Sequence, residues 1–344
     1  MLEYLPWSKE LHEKLLEKYG RGIFSCLDIE LGGECGYHCA YCDSPDRKKT
    51  CTIKIERLER LIQTGQFDWV YVCGLGEPTF NGNYEKFITI LSLCKKYNLR
   101  CSTFSNFSIL NDVLIEYVEN DVLNILFKYD SNNMDMVRAL YGTENVKEQL
   151  NNIKRAVRYV SNKNGTTNLA ASIVPTQLNK NDIIPIVEEC LSVGIFPLLS
   201  ELELSGKGQT NYENLWLNKD ELYRIKEEIE RICGSEYVVP ICPSVISGIH
   251  ISYDSKITVD DFSGLSCHWF WLKEPKIKTL LYFNDGIEIK TIEQAIIGYR
   301  DSRITFVRDY SKSNGEIGLA FGGCGGSVPQ IFEQYVANHK RQPL

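Results

Sequence analysis

Three cysteines crowd one short run of this chain: Cys35, Cys39 and Cys42 in ECGYHCAYCDSP. Thiolates spaced C-x3-C-x2-C suit three corners of an iron–sulfur cube and leave the fourth iron without a protein ligand. An iron left open binds a small molecule, so such a loop serves chemistry and not only electron storage. Two other uses of the thiols stay open on spacing alone: a zinc knot, or three unrelated side chains. Zinc usually takes a fourth ligand at knuckle spacing. His38 lies inside the run but gives C-x2-H-C, which is not a usual zinc pattern.

A second motif, Gly74-Leu75-Gly76-Glu77-Pro78, follows the apolar run WVYVCG. Glycines let a backbone approach a ligand closely, and Glu77 offers a carboxylate to an amine. Alone, GLGEP is only a turn. A third constellation lies towards the C-terminus: Cys242, then Cys267 in GLSCHWFWL, then Cys324 in FGGCGGS. Buried reduced cysteines are common, so these three are also readable as packing. Cys26, Cys51, Cys73, Cys94, Cys101 and Cys190 fall mostly within expected elements and read as core fillers. Glu56 and Glu59 read as a solvated helix face. Trp269, Phe270 and Trp271 read as core, or as the lining of a substrate pocket.

The elements that must position these motifs alternate along the chain. An amphipathic helix opens it, starting after Ser8 and ending at Gly20. Strands are then expected at Ile23 to Leu31, Trp69 to Gly74, Arg100 to Ser105, Val122 to Asp130, Asn168 to Val174 and Ile195 to Leu204. Each is followed by helical sequence, the last of it running from Asn218 to Cys233 with a capping-box start at Asn218 and Glu221 and a stop at Gly234. Six β-then-α units argue for parallel strands joined by right-handed crossovers. Six are too few to close an eight-stranded barrel. The expected fold class is therefore α/β, a partial (β/α)6 TIM-type barrel, open on one side. Alternation puts Cys26, Asp28 and Glu30 on the lumen face of the first strand and Asn124, Lys128 and Asp130 on one face of the fourth; Ser172 and either Glu201 or Glu203 add further polarity. From about Val238 the pattern changes to hairpins, one turning at Asp254-Ser255 and one at Asn284-Asp285-Gly286, with helices near Ile292 to Tyr299 and Pro329 to His339. Three segments follow: an N-terminal helix over residues 1–22, a barrel over 23–235 and a smaller α+β domain over 236–344.

Composition narrows the class. The chain has 344 residues, 43% hydrophobic and 24% charged, which is globular and long enough for a large core plus an appendage. No run approaches the apolar length of a membrane span, and the first residues lack the basic start and apolar stretch of a signal peptide. A cytoplasmic location is the expectation. Thirteen cysteines, an odd number, fit metal or cluster ligation plus free thiols better than disulfides. Net charge is −7 with no basic block beyond Arg47 to Lys49, so nucleic acid is not an expected partner.

With Tyr41 as its aromatic, the cysteine run resembles the C-x3-C-x-aromatic-C signature of the radical S-adenosylmethionine (radical SAM) superfamily. GLGEP resembles that family's GGEP motif, with Gly-Leu-Gly where Gly-Gly is usual. The resemblance implies a partial barrel, a [4Fe-4S] cluster on Cys35, Cys39 and Cys42, and SAM bound at its open iron. It implies that Gly74, Gly76, Glu77 and Pro78 hold the methionyl amino group, that the backbone around Tyr41 meets the adenine, and that Ser105, Asn106, Lys128, Asp130 and Ser172 lie where relatives contact the cofactor. The block between widely spaced cysteines resembles SPASM/twitch appendages, implying a second [4Fe-4S] cluster on Cys242, Cys267 and Cys324; the spacing before Cys267 departs from the usual one, and Cys233, His268 or a substrate group are open as fourth ligand. The activity implied is reductive cleavage of SAM to a 5′-deoxyadenosyl radical that abstracts hydrogen from substrate, with a flavodoxin- or ferredoxin-type reductant. No catalytic side chain is implied, although Cys26 or Cys101, if near the lumen, would suit a hydrogen-atom donor. Relatives with such appendages most often modify ribosomally made peptides by cross-linking, epimerisation or oxidation. A polar small molecule such as an aminosugar, aminocyclitol or nucleoside is the alternative substrate, favoured by the acidic lumen candidates. The alternative from another class is a non-catalytic iron–sulfur electron carrier or a zinc-stabilised binding module; an electron carrier has no use for GLGEP or an open barrel mouth.

Overall fold

Six parallel strands stand side by side in chain order, as six β-then-α units require. The computed structural model describes residues 26–42, 50–64, 67–161, 169–200, 202, 206–233, 248–251, 256–258 and 281–282. Strands β1 (Cys26–Ile29), β2 (Trp69–Val72), β3 (Arg100–Ser105), β4 (Leu123–Lys128), β5 (Leu169–Ile173) and β6 (Phe196–Leu199) pair successively and in parallel. Helices α1 (Ile55–Ile62), α2 (Asn81–Lys96), α3 (Asp112–Glu119), α4 (Met134–Tyr141), α5 (Val146–Ser161), α6 (Ile183–Ser192) and, after β6, α7 (Gly206–Thr210), α8 (Tyr212–Leu215) and α9 (Lys219–Cys233) fill the connections. This is the α/β partial barrel expected from the sequence.

The two faces of the sheet separate by register. Leu27, Val70, Cys101 and Leu123 form one row, and Ile29, Val72, Thr103, Ile125 and Leu169 another. Both rows are buried with Leu58, Phe87, Leu91, Leu114 and Ile153 of the helices. The other face carries Asp28, Tyr71, Ser102 and Asn124 in one row and Lys128 beside Ser172 in a second. Its polar groups bond to each other across strands: Trp69 Nε1 and Asn124 Nδ2 both donate to Ser102 Oγ, at 2.9 and 3.4 Å. The lumen is polar but dry at its base, since Asp28, Ser102 and Asn124 are all buried. Asp28, Ser102 and Asn124 survive there because each is hydrogen-bonded.

Local chemistry fixes the helix ends. Asn111 and Asn133 cap α3 and α4 by accepting backbone N–H groups. In α9 Glu221 N donates to Asn218 Oδ1 at 2.9 Å and Asn218 N to Glu221 Oε2 at 3.1 Å, the reciprocal box read from the sequence.

Past the barrel, β7 (Gly248–Ile251) pairs in parallel with β1, and β8 (Lys256–Thr258) and β9 (Leu281–Tyr282) continue the sheet antiparallel. The hairpin expected around Asp254-Ser255 is present as β7 and β8. These strands extend the barrel's own sheet beyond β1. The N-terminal helix, the second hairpin's turn, both expected C-terminal helices, Glu201, Glu203, Trp269 to Trp271, Cys242, Cys267 and Cys324 lie outside the described residues. Among the described residues no helix is long and apolar enough to cross a membrane.

Candidate active site at the barrel rim

The cysteine loop leaves the end of β1 and GLGEP leaves the end of β2, so adjacent strands deliver both to one rim, where parallel barrels gather their chemistry. The two loops touch backbone to backbone. Gly76 has φ +75°, and a Cβ there would lie 2.0 Å from the Gly32 carbonyl oxygen and 2.7 Å from that of Glu34. Only glycine fits. Glu77 N donates to Glu34 O at 2.8 Å. Asn83, buried in the first turn of α2, donates its Nδ2 to three carbonyls: Gly32 and Glu34 of the cysteine loop, at 3.3 and 3.4 Å, and Glu77 at 3.1 Å.

Two other elements hold the loop from the far side. His38 N and Ala40 N donate to Tyr141 O and Leu140 O, at 2.8 and 2.7 Å. That pairing needs the chain to turn sharply after α4, which Gly142 does at φ +55°, and a Cβ on Gly142 would meet His38 O at 2.6 Å. Helix α7 and the residue after it close the circle: Lys207 N donates to Cys42 O at 2.8 Å and Asn211 Nδ2 to Ala40 O at 2.7 Å.

The three thiols are reduced, Cys39 buried and Cys35 and Cys42 half-buried. Cys35 Sγ accepts from Tyr37 N at 3.3 Å and from Asn106 Nδ2 at 3.6 Å, contacts that favour a thiolate. Burial pushes the Cys39 thiol up to about 12; the nearby Lys128 ammonium pulls it back, and Cys42, Cys35 and Asp130 push it further. Gathering three thiols under cover is unfavourable for thiolates unless a metal takes their charge. Among the described residues no three His, Cys, Asp or Glu side chains close on a single ion. Three thiols on one loop are the donors that a cube with one open iron takes, one thiolate to each of three irons. The donor set fits a cluster.

Beside it, the Glu77 carboxylate is buried and ordered by four donors. Oε1 accepts from Thr79 N, Thr79 Oγ1 and Ser105 Oγ, at 2.9, 2.7 and 2.8 Å, and Oε2 accepts from Asn106 N at 2.7 Å. Burial raises its pKa, and the Asn106 amide and Thr79 hold the rise in check. Oε2, with one donor, keeps capacity for an ammonium. Asn106 thus bridges thiol and carboxylate. Gly74, at φ +99°, lies against Glu30, whose Oε1 accepts from Leu75 N at 3.2 Å. Glu30 supports the turn that presents Glu77.

Across the loop, Tyr41 runs inward and its hydroxyl donates to Asp130 Oδ2. Lys128 Nζ donates to the same hydroxyl at 3.0 Å and sits 4.4 Å from the Tyr41 ring centroid and 5.7 Å from that of Tyr141. Asp130 is fully buried, accepts from Val174 N at 2.7 Å on Oδ1, and has a pKa raised by that burial against the pull of Lys128. Both its oxygens therefore have partners inside the protein. Ser172 stands in register beside Lys128.

The structure therefore collects Cys35, Cys39, Tyr41, Cys42, Gly74, Gly76, Glu77, Pro78, Ser105, Asn106, Lys128, Asp130 and Ser172 around one rim. It does not bring the two proposed hydrogen donors there. Cys101 is in the helix-facing row and fully buried, its thiol donating to Ser102 O at 3.9 Å. Cys26 shares the lumen row with Trp69, but at the start of β1, the end away from the rim, and burial raises its pKa well above the usual thiol value. Cys73, just past β2, is half-buried and packs against the core, as read from the sequence, and its thiol donates to Asp28 Oδ1 at 3.3 Å. Sequence reasoning passed over Asn83, Lys207 and Asn211, whose roles depend on contacts distant in the chain.

No family model and no curated protein sequence matches the chain significantly. Solved structures do. Streptococcus suis SuiB bound to S-adenosylmethionine matches with a TM-score of 0.58 at 14% identity, over 88% of this chain and 72% of SuiB. SuiB bound to its precursor peptide SuiA matches with a TM-score of 0.56 at 14% identity, over 81% and 68%. Native anSMEcpe with bound AdoMet and the Cp18Cys peptide matches with a TM-score of 0.55 at 12% identity, over 91% and 97%. At such identities the likeness is one of fold.

Proposed function

We propose that this chain, whose fold is that of the radical SAM enzymes, is itself one, acting on a peptide. The observation that carries the assignment is the pairing of a three-thiol loop with a buried, four-donor carboxylate through one asparagine, Asn106. When bound, the [4Fe-4S] cluster supplies an electron that splits the sulfonium of S-adenosylmethionine, giving methionine and a 5′-deoxyadenosyl radical that takes hydrogen from substrate. Cys35, Cys39 and Cys42 would hold the cluster. Glu77 would take the amino group of the cosubstrate, with Thr79, Ser105 and Asn106 fixing its carboxylate in advance. The backbone at Tyr41 would border the adenine, and Lys128 and Ser172 would face the lumen side. Asp130 would act by holding Tyr41.

The peptide substrate rests on two neighbours of the same fold that were captured with peptides, SuiB and anSMEcpe. The buried lumen acids Asp28 and Glu30 favour a second reading, a polar amine such as an aminocyclitol, although both already hold protein donors. From sequence alone, Cys242, Cys267 and Cys324 would carry an auxiliary cluster, and a flavodoxin or ferredoxin would supply electrons.

Anaerobic reconstitution followed by assay of 5′-deoxyadenosine from SAM tests the assignment. Wild type should release it and Cys39→Ala should not; equal yields from both would overturn the mechanism. Adding the peptide encoded beside this gene, or a panel of aminocyclitols, separates the substrates by which of them consumes SAM stoichiometrically and changes mass.

A further inference from the structure

Lys128 faces the cysteine loop from the barrel wall, and its place is set by geometry. It ends β4 on the lumen face, its ammonium lies over the Tyr41 ring and donates to the Tyr41 hydroxyl, and the Tyr141 ring forms a second wall. Tyr41, Tyr141 and Cys39 belong to one buried cluster against which Cys35 and Cys42 pack, so an ammonium held on this ring lies beside the cysteine loop. Tyr37 stacks on Tyr141 at 5.9 Å, which closes the aromatic enclosure from the Cys35 side. A half-buried charge held by an aromatic face and a hydroxyl is screened less than a surface lysine.

We infer that Lys128 tunes the reduction potential of the metal centre on Cys35, Cys39 and Cys42, before any cosubstrate is bound. This rests on the cluster assignment above and adds to the cofactor contact proposed for Lys128. Three thiolates on a cube whose core carries two positive charges make a centre of net charge −1. One electron from an external one-electron reductant makes it −2. A fixed cation stabilises the more negative state more strongly, so it favours reduction. Asp130, on the other side of Tyr41, limits the effect by partnering the same hydroxyl.

The test is a redox titration of reconstituted full-length protein without SAM, followed by the electron paramagnetic resonance signal of the reduced cluster. Lys128→Gln should shift the one-electron equilibrium at least tenfold towards the oxidised form, about 59 mV. Lys128→Arg, which keeps the charge and stacks on aromatic rings, should stay within threefold of wild type. Lys128→Met covers failure of the glutamine variant to assemble. Equal potentials in all cluster-bearing variants would overturn the inference and leave the cluster assignment standing. Loss of cluster from both uncharged variants, with retention in Lys128→Arg, would assign Lys128 to assembly and overturn it as well. Wild type that binds no cluster would sink the functional assignment itself, a separate and distinguishable result.

Discussion

The cysteine loop is gripped on two sides by different physics. On the GLGEP side the contacts are largely to backbone: a glycine with no room for a methyl group, one asparagine amide shared by three carbonyls, and a carboxylate ordered by amides and hydroxyls. On the Tyr41 side they are aromatic and charged, with Lys128 and Asp130 meeting at one phenol. The first grip fixes where atoms are. The second sets the field they feel. Lesions on the two sides should therefore separate: those near Gly76 and Asn83 should cost stability and cosubstrate affinity, and those near Lys128 should move the potential.

Gly76→Ala is the hardest test of the positional side. The methyl group would overlap the Gly32 carbonyl at 2.0 Å, in a backbone conformation that alanine adopts only under strain. Adding the strain of a left-handed non-glycine residue to that of overpacking gives a cost on the order of 4 kcal/mol. Thermal melting of the protein should show a large drop, and iron content after reconstitution should fall with it. A variant that melts like wild type would mean that the two loops are not in contact.

Asn83→Leu should have a smaller and more selective effect. It takes a donor from the Gly32 carbonyl, a loss of about 1 kcal/mol, while Glu34 O keeps the amide of Glu77 and Glu77 O keeps that of Phe80. Stability should fall modestly. SAM affinity, measured by equilibrium binding, should weaken about tenfold, the equivalent of 1.4 kcal/mol. The cluster's potential should not move. A shifted potential with unchanged affinity would reverse the division between the two sides.

Sequence made one side of this comparison more legible than the other. The barrel followed from six β-then-α units, and the rim motifs from residue spacing. The strand faces of β1 and β4 followed from clear alternation, and the start of α9 from its capping box. The run RCSTFS of β3 does not alternate clearly, so the face of Cys101 was set only by its register opposite Val70. Helices α7 and α8 carry GKGQT and YENL, too short and polar for a periodic signal, yet α7 holds Cys42 O. The pairing of β7 with β1 leaves no local trace, because a parallel edge is recognised by backbone and not by pattern. Asn83 looks like an ordinary residue at a helix start until three carbonyls converge on it.

The smallest expected effect lies in Glu77 itself, where position and charge meet. Its folded pKa is raised above the ordinary glutamate value, first by burial, with the Asn106 and Thr79 donors opposing. Below about pH 4.3 the carboxyl is protonated whether the chain is folded or not. As pH rises past that value, the unfolded chain ionises first, so the unfolded state gains and stability falls until the folded carboxyl also loses its proton. Glu77→Gln removes this dependence while keeping the size of the side chain. Asp130 shifts in the same direction, and Glu59, Glu221 and Glu228 in the opposite one, but all four remain in both proteins and cancel in the difference. Denaturant unfolding across this pH window should show wild type losing stability relative to Glu77→Gln as pH rises. If wild type gains instead, the four donors outweigh burial, and the site is then built to hold a charged carboxylate even before an ammonium arrives.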